Sequence, residues 1–371
     1  MVKQYHKTAT TLIKGAKTLD GKYYSNAKIF KEELKNIFYE NWLCVGRAND
    51  LKKEGNYISF EIGNENLIIV RNKKNQLNGF YNVCRHRGTR ICNDKKGSFS
   101  KTIQCKYHGW TYNLNGNLVG APNMENVDGF KKSDYPLHNI SIKEWNSFIF
   151  ICLSDNPENF ENFYKPLKNK FNEWQLSTLK TIKQIDYTIK ANWKLVMQNY
   201  NECYHCPTIH PELAKIHHFT SGENDLYEGP FLGGFMTLNE DKKSISESGN
   251  LCSKPIPGVT KKNLNRVYYY SFFPNMLISL HPDYVMYHTI IPLAPSKCKI
   301  TCSWLFLEEN NHHHNYDDAI EFWDKTNKQD WEISEQSQLG IQSKKYTPGP
   351  YSPRESLLST FDNYYLSKLT K

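Results

Sequence analysis

The 371-residue sequence predicts an α+β fold in two unequal parts, and three observations carry that prediction. Short runs of alternating character, separated by Gly, Asn and Lys-rich turns, fill the stretch from Trp42 to about Leu153 and read as a compact antiparallel β domain. Strand-like runs return between Asn265 and Glu308 after a stretch of irregular texture. A long pattern of helical spacing, Asp317–Ser343, then closes the second part.

Taken in order, SNAKIFKEELKNIFYE (25–40) places apolar residues at helical spacing, so an amphipathic helix opens the chain. The β domain follows as NYISFEIG, ENLIIVRN, LNGFYNVC, TIQCKYHGWTYNLNG and SFIFICL. Residues 154–180, polar with spaced aromatics, predict a helical connection. A helix over about 192–206 leads into loops rich in Gly, Ser and Lys as far as residue 263. NRVYYYSFF, MLISLHP, YVMYHTIIPL and CKITCSWLFLE are then expected strands, and YTPGPYSP ends the long helix. The expected division is an N-terminal helical segment, 1–40, packing on the last domain, a β-rich domain, 41–155, and a larger domain, 156–371.

A chain of this length can build two ordinary cores. It contains no apolar run long enough to span a bilayer, and MVKQYHKTATTLIKG lacks a signal core, so a cytoplasmic protein with no membrane partner is expected. The net charge of +9 rests on lysine pairs scattered from 52–53 to 344–345, not on one basic arm, which argues against nucleic acid as a partner. Such a surface can still attract an acidic protein. The ten cysteines are expected as thiols, not disulfides, in that compartment. Cys44, Cys152, Cys252, Cys298 and Cys302 sit in or beside apolar runs and read as small core hydrophobes. His312, His313 and His314, in EENNHHHNYDD, read as an exposed loop.

Two clusters stand apart. CRHRG (84–88) and CKYHGW (105–110) give Cys84-x-His86 and, after eighteen intervening residues, Cys105-x-x-His108. Zinc would accept two thiolates and two imidazoles, but zinc fingers usually put the cysteines on one loop and the histidines on the other. One Cys and one His per loop fits a Rieske 2Fe–2S centre, where two thiolates hold one iron and two imidazoles the other. Cys92, between the pairs, reads as a packing thiol.

In NYNECYHCPTIHPEL (199–213), Glu202 and His205 lie three apart and would share a helical face. Pro207 would break that helix and let His210 fold back toward His205. Two imidazoles and a distant carboxylate would form a facial triad with open positions on non-haem Fe(II). The long helix offers Asp324, Asp330, Glu332 and Glu335, of which Asp330 is preferred, although spacing does not separate it from Glu332. Cys203 and Cys206 form a Cys-x-x-Cys pair that suggests zinc or redox chemistry, but packing against the core is the expectation.

With these motifs quoted, the sequence resembles the Rieske non-haem iron oxygenases, the ring-hydroxylating oxygenase α-subunit family, from CRHRG to QDWEISEQSQLG. The resemblance implies a 2Fe–2S cluster on Cys84, His86, Cys105 and His108 and a mononuclear Fe(II) on His205, His210 and Asp330. It implies O2 as cosubstrate, a flavin/iron–sulfur reductase partner fed by NAD(P)H, and a helix-grip-like catalytic domain whose antiparallel sheet wraps a long C-terminal helix. It also implies a head-to-tail homotrimer in which an acid three residues before the first iron histidine, here Glu202, bridges to a neighbour's Rieske histidine. Glu at that position, where aromatic-ring dioxygenases usually carry Asp, resembles the branch that oxidises carnitine, glycine betaine, stachydrine and choline.

A quaternary ammonium offers no hydrogen-bond donor, so aromatic faces are its natural partners. Tyr204, Tyr269, Tyr284 and Tyr287 are candidates, with His281 for a substrate carboxylate. The expected activity is N-demethylation by a Rieske monooxygenase. An aromatic-ring hydroxylating dioxygenase and a Rieske electron-transfer protein are the competing readings.

Overall fold

The computed structural model describes residues 4–308 and 314–370, so His312 and His313 lie outside the described residues. Over these, the chain divides into two compact units, Met1–Phe38 with Glu161–Lys371 and, between them in sequence, Tyr39–Phe160.

The larger unit begins with a two-residue strand, β1 (His6–Lys7), and helices α1 (Lys22–Ser25) and α2 (Ala27–Glu33), which runs on as a π turn over Leu34–Phe38. Asn26 starts α2 because its side chain accepts from the backbone N–H groups of Lys28 and Ile29.

The smaller unit is all β. Its strands are β2 (Leu43–Arg47), β3 (Asn56–Ile62), β4 (Glu65–Arg71), β5 (Leu77–Tyr81), β6 (Lys96–Ser98), β7 (Thr102–Gln104), β8 (Thr111–Asn113), β9 (Leu118–Gly120), β10 (Ser141–Trp145) and β11 (Phe148–Cys152). They form three antiparallel sheets, β10-β11-β2, β5-β4-β3-β6 and β7-β8-β9. Alternation directs Ile68, Val70, Phe80, Ile103 and Tyr112 inward, and Cys84, Cys105 and Trp110 join the same core.

The connection predicted as helical over 154–180 is only short turns, α3 (Phe160–Phe163), Lys165–Leu167 and Asn172–Trp174. The large sheet then follows: β12 (Lys180–Ile189), β13 (Glu223–Glu228), β14 (Phe231–Thr237), β15 (Arg266–Phe272), β16 (Met276–Leu280), β17 (Val285–Ala294) and β18 (Lys297–Phe306). With β1 they make eight strands in the order β1-β13-β14-β15-β16-β17-β18-β12, with antiparallel pairing between neighbours.

Between β12 and β13 lie α4 (Trp193–Tyr200), α5 (Cys206–Ile209) and α6 (Pro211–Ala214). Asn192 caps α4, its side chain accepting from Lys194 N. Lys194 itself is buried and paired with Glu33, which also accepts from the Trp193 indole and the Tyr365 hydroxyl. A buried pair of this kind is tolerable only when the acceptor's remaining lone pairs are satisfied, as they are here. The long helix is α7 (Tyr316–Ile341), and α8 (Ser356–Leu369) ends the chain. Along α7 the buried positions Ala319, Phe322, Trp323, Thr326, Asn327, Trp331, Ser334 and Gln338 recur every three or four residues and form one face. That face shares a core with Val267, Met286, Cys302 and Trp304 of the sheet, the helix-grip arrangement.

Three expectations are corrected. The helix expected to 206 stops at Tyr200, where Asn201 turns its side-chain amide back onto Met197 O. Cys203 and Cys206 do pack in the core, but as a disulfide and not as thiols, because that turn brings their Cα atoms to 4.9 Å, within bridging range. His314 is half-buried and stacks on Tyr316 at 5.1 Å instead of lying open.

Candidate metal centres and the cavity beside the second

In the smaller unit, two loops share one backbone design. Cys84 N donates to Thr89 O and Gly88 N to Cys84 O; Cys105 N donates to Trp110 O and Gly109 N to Cys105 O. Both turns close on a glycine in the left-handed region, Gly88 at φ 72° and Gly109 at φ 71°, where a side chain would be strained. Each loop therefore presents one buried cysteine and one histidine, and the two imidazole rings stand 4.7 Å apart. His108 is exposed, whereas His86 lies half-buried, stacked on Trp110 at 4.9 Å.

The His86 Nδ1 is buried with no hydrogen-bond partner, as expected of a nitrogen that a metal would occupy. The buried Tyr112 hydroxyl accepts from Arg85 N at 3.0 Å, which leaves its O–H for Cys84 Sγ at 3.4 Å. Burial raises the Cys105 thiol above its ordinary value and lowers the His86 imidazolium. The imidazole is thus ready as a neutral ligand, while the thiol needs a metal to hold it ionised. Two buried sulfurs, one with a donor, and an unpartnered imidazole nitrogen fit a Rieske cluster.

The second group lies in the larger unit. After α4, the Glu202 carboxylate accepts from the backbone N–H of Tyr204 and of His205 and pairs with His205 Nδ1. Pro207 does not break a helix here; it sits in the first turn of α5, where its missing N–H is not needed, and Pro211 does the same for α6. His210 falls between the two short helices, buried. From α7, Asp330 Oδ1 reaches His210 Nε2 at 2.8 Å and His205 Nε2 at 3.4 Å. Gln329 Oε1 accepts from His210 Nδ1 at 2.8 Å.

One ligand atom each from His205, His210 and Asp330 lies within 4.8 Å of the others. The other carboxylates considered on α7 are engaged or turned out: Asp324 accepts from Tyr187 Oη, Glu335 from Lys190 N, and Glu332 is exposed. Burial works against charge at His205, but hydrogen bonds to Asp330 and Glu202 overcome it and raise the imidazolium to about 10. Asp330 is held down to about 2 by the two histidines despite its burial. Both Nδ1 atoms have protein acceptors, so both Nε2 atoms are left to converge on Asp330, the orientation metal-binding histidines need. Two imidazoles and one carboxylate suit non-haem Fe(II) with positions to spare.

A cavity of about 220 Å³ opens beside this group, its wall including Tyr200, Phe219, Phe235, Tyr269, Trp323 and Arg354. Gly233 and Gly234 form part of it: a Cβ at either would run into neighbouring backbone, at Tyr269 O and Glu223 O respectively. Of the substrate residues expected from sequence, Tyr269 lines the cavity, and its buried hydroxyl has no partner among the described residues. Tyr204 is exposed and outside it. His281, Tyr284 and Tyr287 are buried in the sheet core and do not line it; Tyr284 donates to Ile245 O, and His281 stacks on Tyr284 at 4.0 Å. Aromatic composition could not tell which face of a strand meets the cavity. Tyr112, Gln329 and Arg354 were missed by sequence reasoning; only Gln329, next to Asp330, carried a signal.

Residues 176–371 match the ring hydroxylating alpha subunit catalytic domain, and residues 41–131 match the Rieske [2Fe-2S] domain. The glycine betaine monooxygenase oxygenase subunit of Pseudomonas aeruginosa is 30% identical over 369 residues, 89% of this chain and 83% of the relative. The carnitine monooxygenase oxygenase subunit of Escherichia coli (strain K12) is 34% identical over 196 residues, 52% of each chain. Among solved structures, a quaternary ammonium Rieske monooxygenase superposes with a TM-score of 0.82 at 22% identity, covering 96% of both chains. Sheet and helix order, two metal-binding motifs and these matches agree: the chain belongs to the ring-hydroxylating oxygenase α-subunit family, Rieske oxygenases that carry a 2Fe–2S cluster and a mononuclear iron.

Proposed function

We propose that the chain is the oxygenase component of a monooxygenase that N-demethylates a quaternary ammonium compound such as glycine betaine, stachydrine or carnitine. The observation that carries this is the convergence of His205, His210 and Asp330 on the wall of a cavity that also presents aromatic faces, Tyr269 among them. Relatives named as glycine betaine and carnitine monooxygenase oxygenase subunits support the same substrate class.

When bound, the two iron groups supply one-electron transfer and dioxygen activation. The chain's own residues set the stage for both. Cys84, His86, Cys105 and His108 would hold the cluster, with Tyr112 donating to the Cys84 sulfur and His108 open at the surface. His205, His210 and Asp330 would hold the iron, with Glu202 and Gln329 fixing the histidine rings. The cavity offers the ring of Tyr269, whose cation–π contact can orient an N-methyl group of a quaternary ammonium.

Hydroxylation of an N-methyl group consumes O2, two electrons and two protons, and releases water. The resulting N-hydroxymethyl compound loses formaldehyde and a proton to leave the tertiary amine. The electrons come from NAD(P)H through a flavin/iron–sulfur reductase. In the head-to-tail trimer we propose, Glu202 joins His205 to the Rieske histidine of a neighbouring copy. A structural neighbour described in terms of inter-subunit electron transfer supports that arrangement.

The test is product analysis with a surrogate reductase. Stoichiometric formaldehyde from glycine betaine, stachydrine or carnitine is expected; cis-diols or phenols from arenes, with no formaldehyde from any of these, would overturn the reading.

A further inference from the structure

The cavity wall contains a guanidinium without a counterion. Arg354 is half-buried, lines the cavity and rests over the ring of Phe219 at 5.4 Å. It makes no ion pair among the described residues. The acidic side chains of the same wall, Glu202 and Asp330, are both bound to the histidines. The adjacent Glu355 is also committed: it forms a capping box in which its carboxylate accepts from Ser352 N at 2.7 Å. That box also fixes the backbone of Arg354, whose N–H donates to Ser352 Oγ. Lys7, the other cation of the wall, is exposed and lies on the short strand β1.

Withdrawing a guanidinium from water with no anion to meet it is unfavourable, so a ligand that supplies one gains what the apo cavity lacks. Arginine's planar fork matches a carboxylate with two parallel hydrogen bonds, and an uncharged arene offers it nothing. We propose that Arg354 recognises the carboxylate of the substrate, so that the cavity takes betaines, small molecules with a quaternary ammonium and a carboxylate, in preference to amino alcohols. The inference rests on the quaternary ammonium reading and narrows it. It also moves carboxylate recognition from His281, buried away from the cavity, to a residue in the wall.

Titration calorimetry of the iron-loaded full chain with glycine betaine and with choline tests this in wild type, R354Q and R354K. Wild type is expected to bind glycine betaine at least ~10-fold more tightly than choline, and R354Q to weaken glycine betaine by ~10- to 100-fold, the range for a lost charge-assisted hydrogen bond. Choline affinity should stay within about twofold in R354Q, because choline brings no anion to the fork. R354K should fall between wild type and R354Q, keeping the charge but losing the fork. Equal glycine betaine affinity in wild type and R354Q would overturn the role of Arg354 while leaving the quaternary ammonium reading intact, and so would a parallel loss of both ligands. A wild-type chain that binds none of glycine betaine, stachydrine, carnitine and choline would overturn both.

Discussion

Each histidine of the 205/210 pair has its Nδ1 on a protein acceptor and its Nε2 on Asp330, and the two acceptors differ in kind. Glu202 is an anion that also caps its own turn, whereas Gln329 is a neutral amide on α7, next to the carboxylate it helps to aim. Gln329→Leu should therefore leave His210 free to rotate and lower iron affinity by ~10- to 100-fold, the usual cost of removing such a partner. Iron retained after dialysis against a chelator measures this, and the visible absorbance of the 2Fe–2S cluster should not change. Unaltered retention would show that packing alone holds the ring. At this scale the sequence was legible where the proposed ligands are neighbours and the structure brings them together: Cys84 with His86, Cys105 with His108, His205 with His210. It was silent where folding joins distant residues. His210 and Asp330 are 120 positions apart, and no spacing rule could distinguish Asp330 from Glu332.

Among the elements, α4 and α8 are tied by buried polar groups that do no chemistry. Asp362 of α8 accepts from Gln198 of α4 at 2.6 Å and from the Tyr351 hydroxyl at 2.7 Å, and Gln198 also meets Tyr24. Burial pushes the Asp362 carboxyl up to about 7, with Tyr351 and Gln198 pulling it down. An unfolded aspartate titrates near ~3.9, so between that value and about 7 the folded chain holds a proton that the unfolded chain lacks. Stability from this group is therefore greatest at the acid end of the window and declines as pH rises through it. Asp283, pushed up to about 6 by burial, acts in the same direction. Asp362→Asn should reduce the loss of stability between pH 5 and pH 8 by roughly 2 to 3 kcal/mol, or ~3 °C in Tm, with Asp283 sustaining a remaining slope. Thermal melts at the two pH values decide it; identical slopes in variant and wild type would refute it. Elements with strong alternation or long helical period were readable, β15 to β18 and α7 above all. In the large sheet four strands were not, the first being β1, only two residues long. β12, KTIKQIDYTI, is a half-exposed edge strand rich in Lys, Gln and Asp, and β14 carries Gly233 and Gly234 where close backbone approach forbids a side chain. β13 pairs with β14 and alternates too little to be recognised alone.

For the whole molecule, the two metal-binding motifs fall in separate compact units of one chain, Cys84 to His108 in one and His205, His210 and Asp330 in the other. Electrons entering one must reach the other, either within a chain or between chains. A head-to-tail interface that closes into a ring makes the second route available to every subunit equally. The proposed trimer can then be tested without a structure, by giving each copy only one working centre. His108→Ala removes a proposed cluster ligand and His205→Ala a proposed iron ligand, so neither variant alone should turn over. Coexpressed at equal levels and assembled at random, a subunit with an intact cluster precedes one with an intact iron site at about one junction in four, the product of two even chances around a closed ring. The unfractionated mixture should therefore recover about one quarter of the wild-type formaldehyde rate, and tandem-purified mixed trimers, each with one productive junction in three, about one third, with reductase saturating. Transfer within a chain predicts none, because no single copy holds both centres. Size-exclusion chromatography of two differently tagged variants, purified in tandem, establishes that the assay contains mixed assemblies. Inactivity of such verified hybrids would confine electron transfer to one chain and remove the reason for Glu202 to face a neighbour.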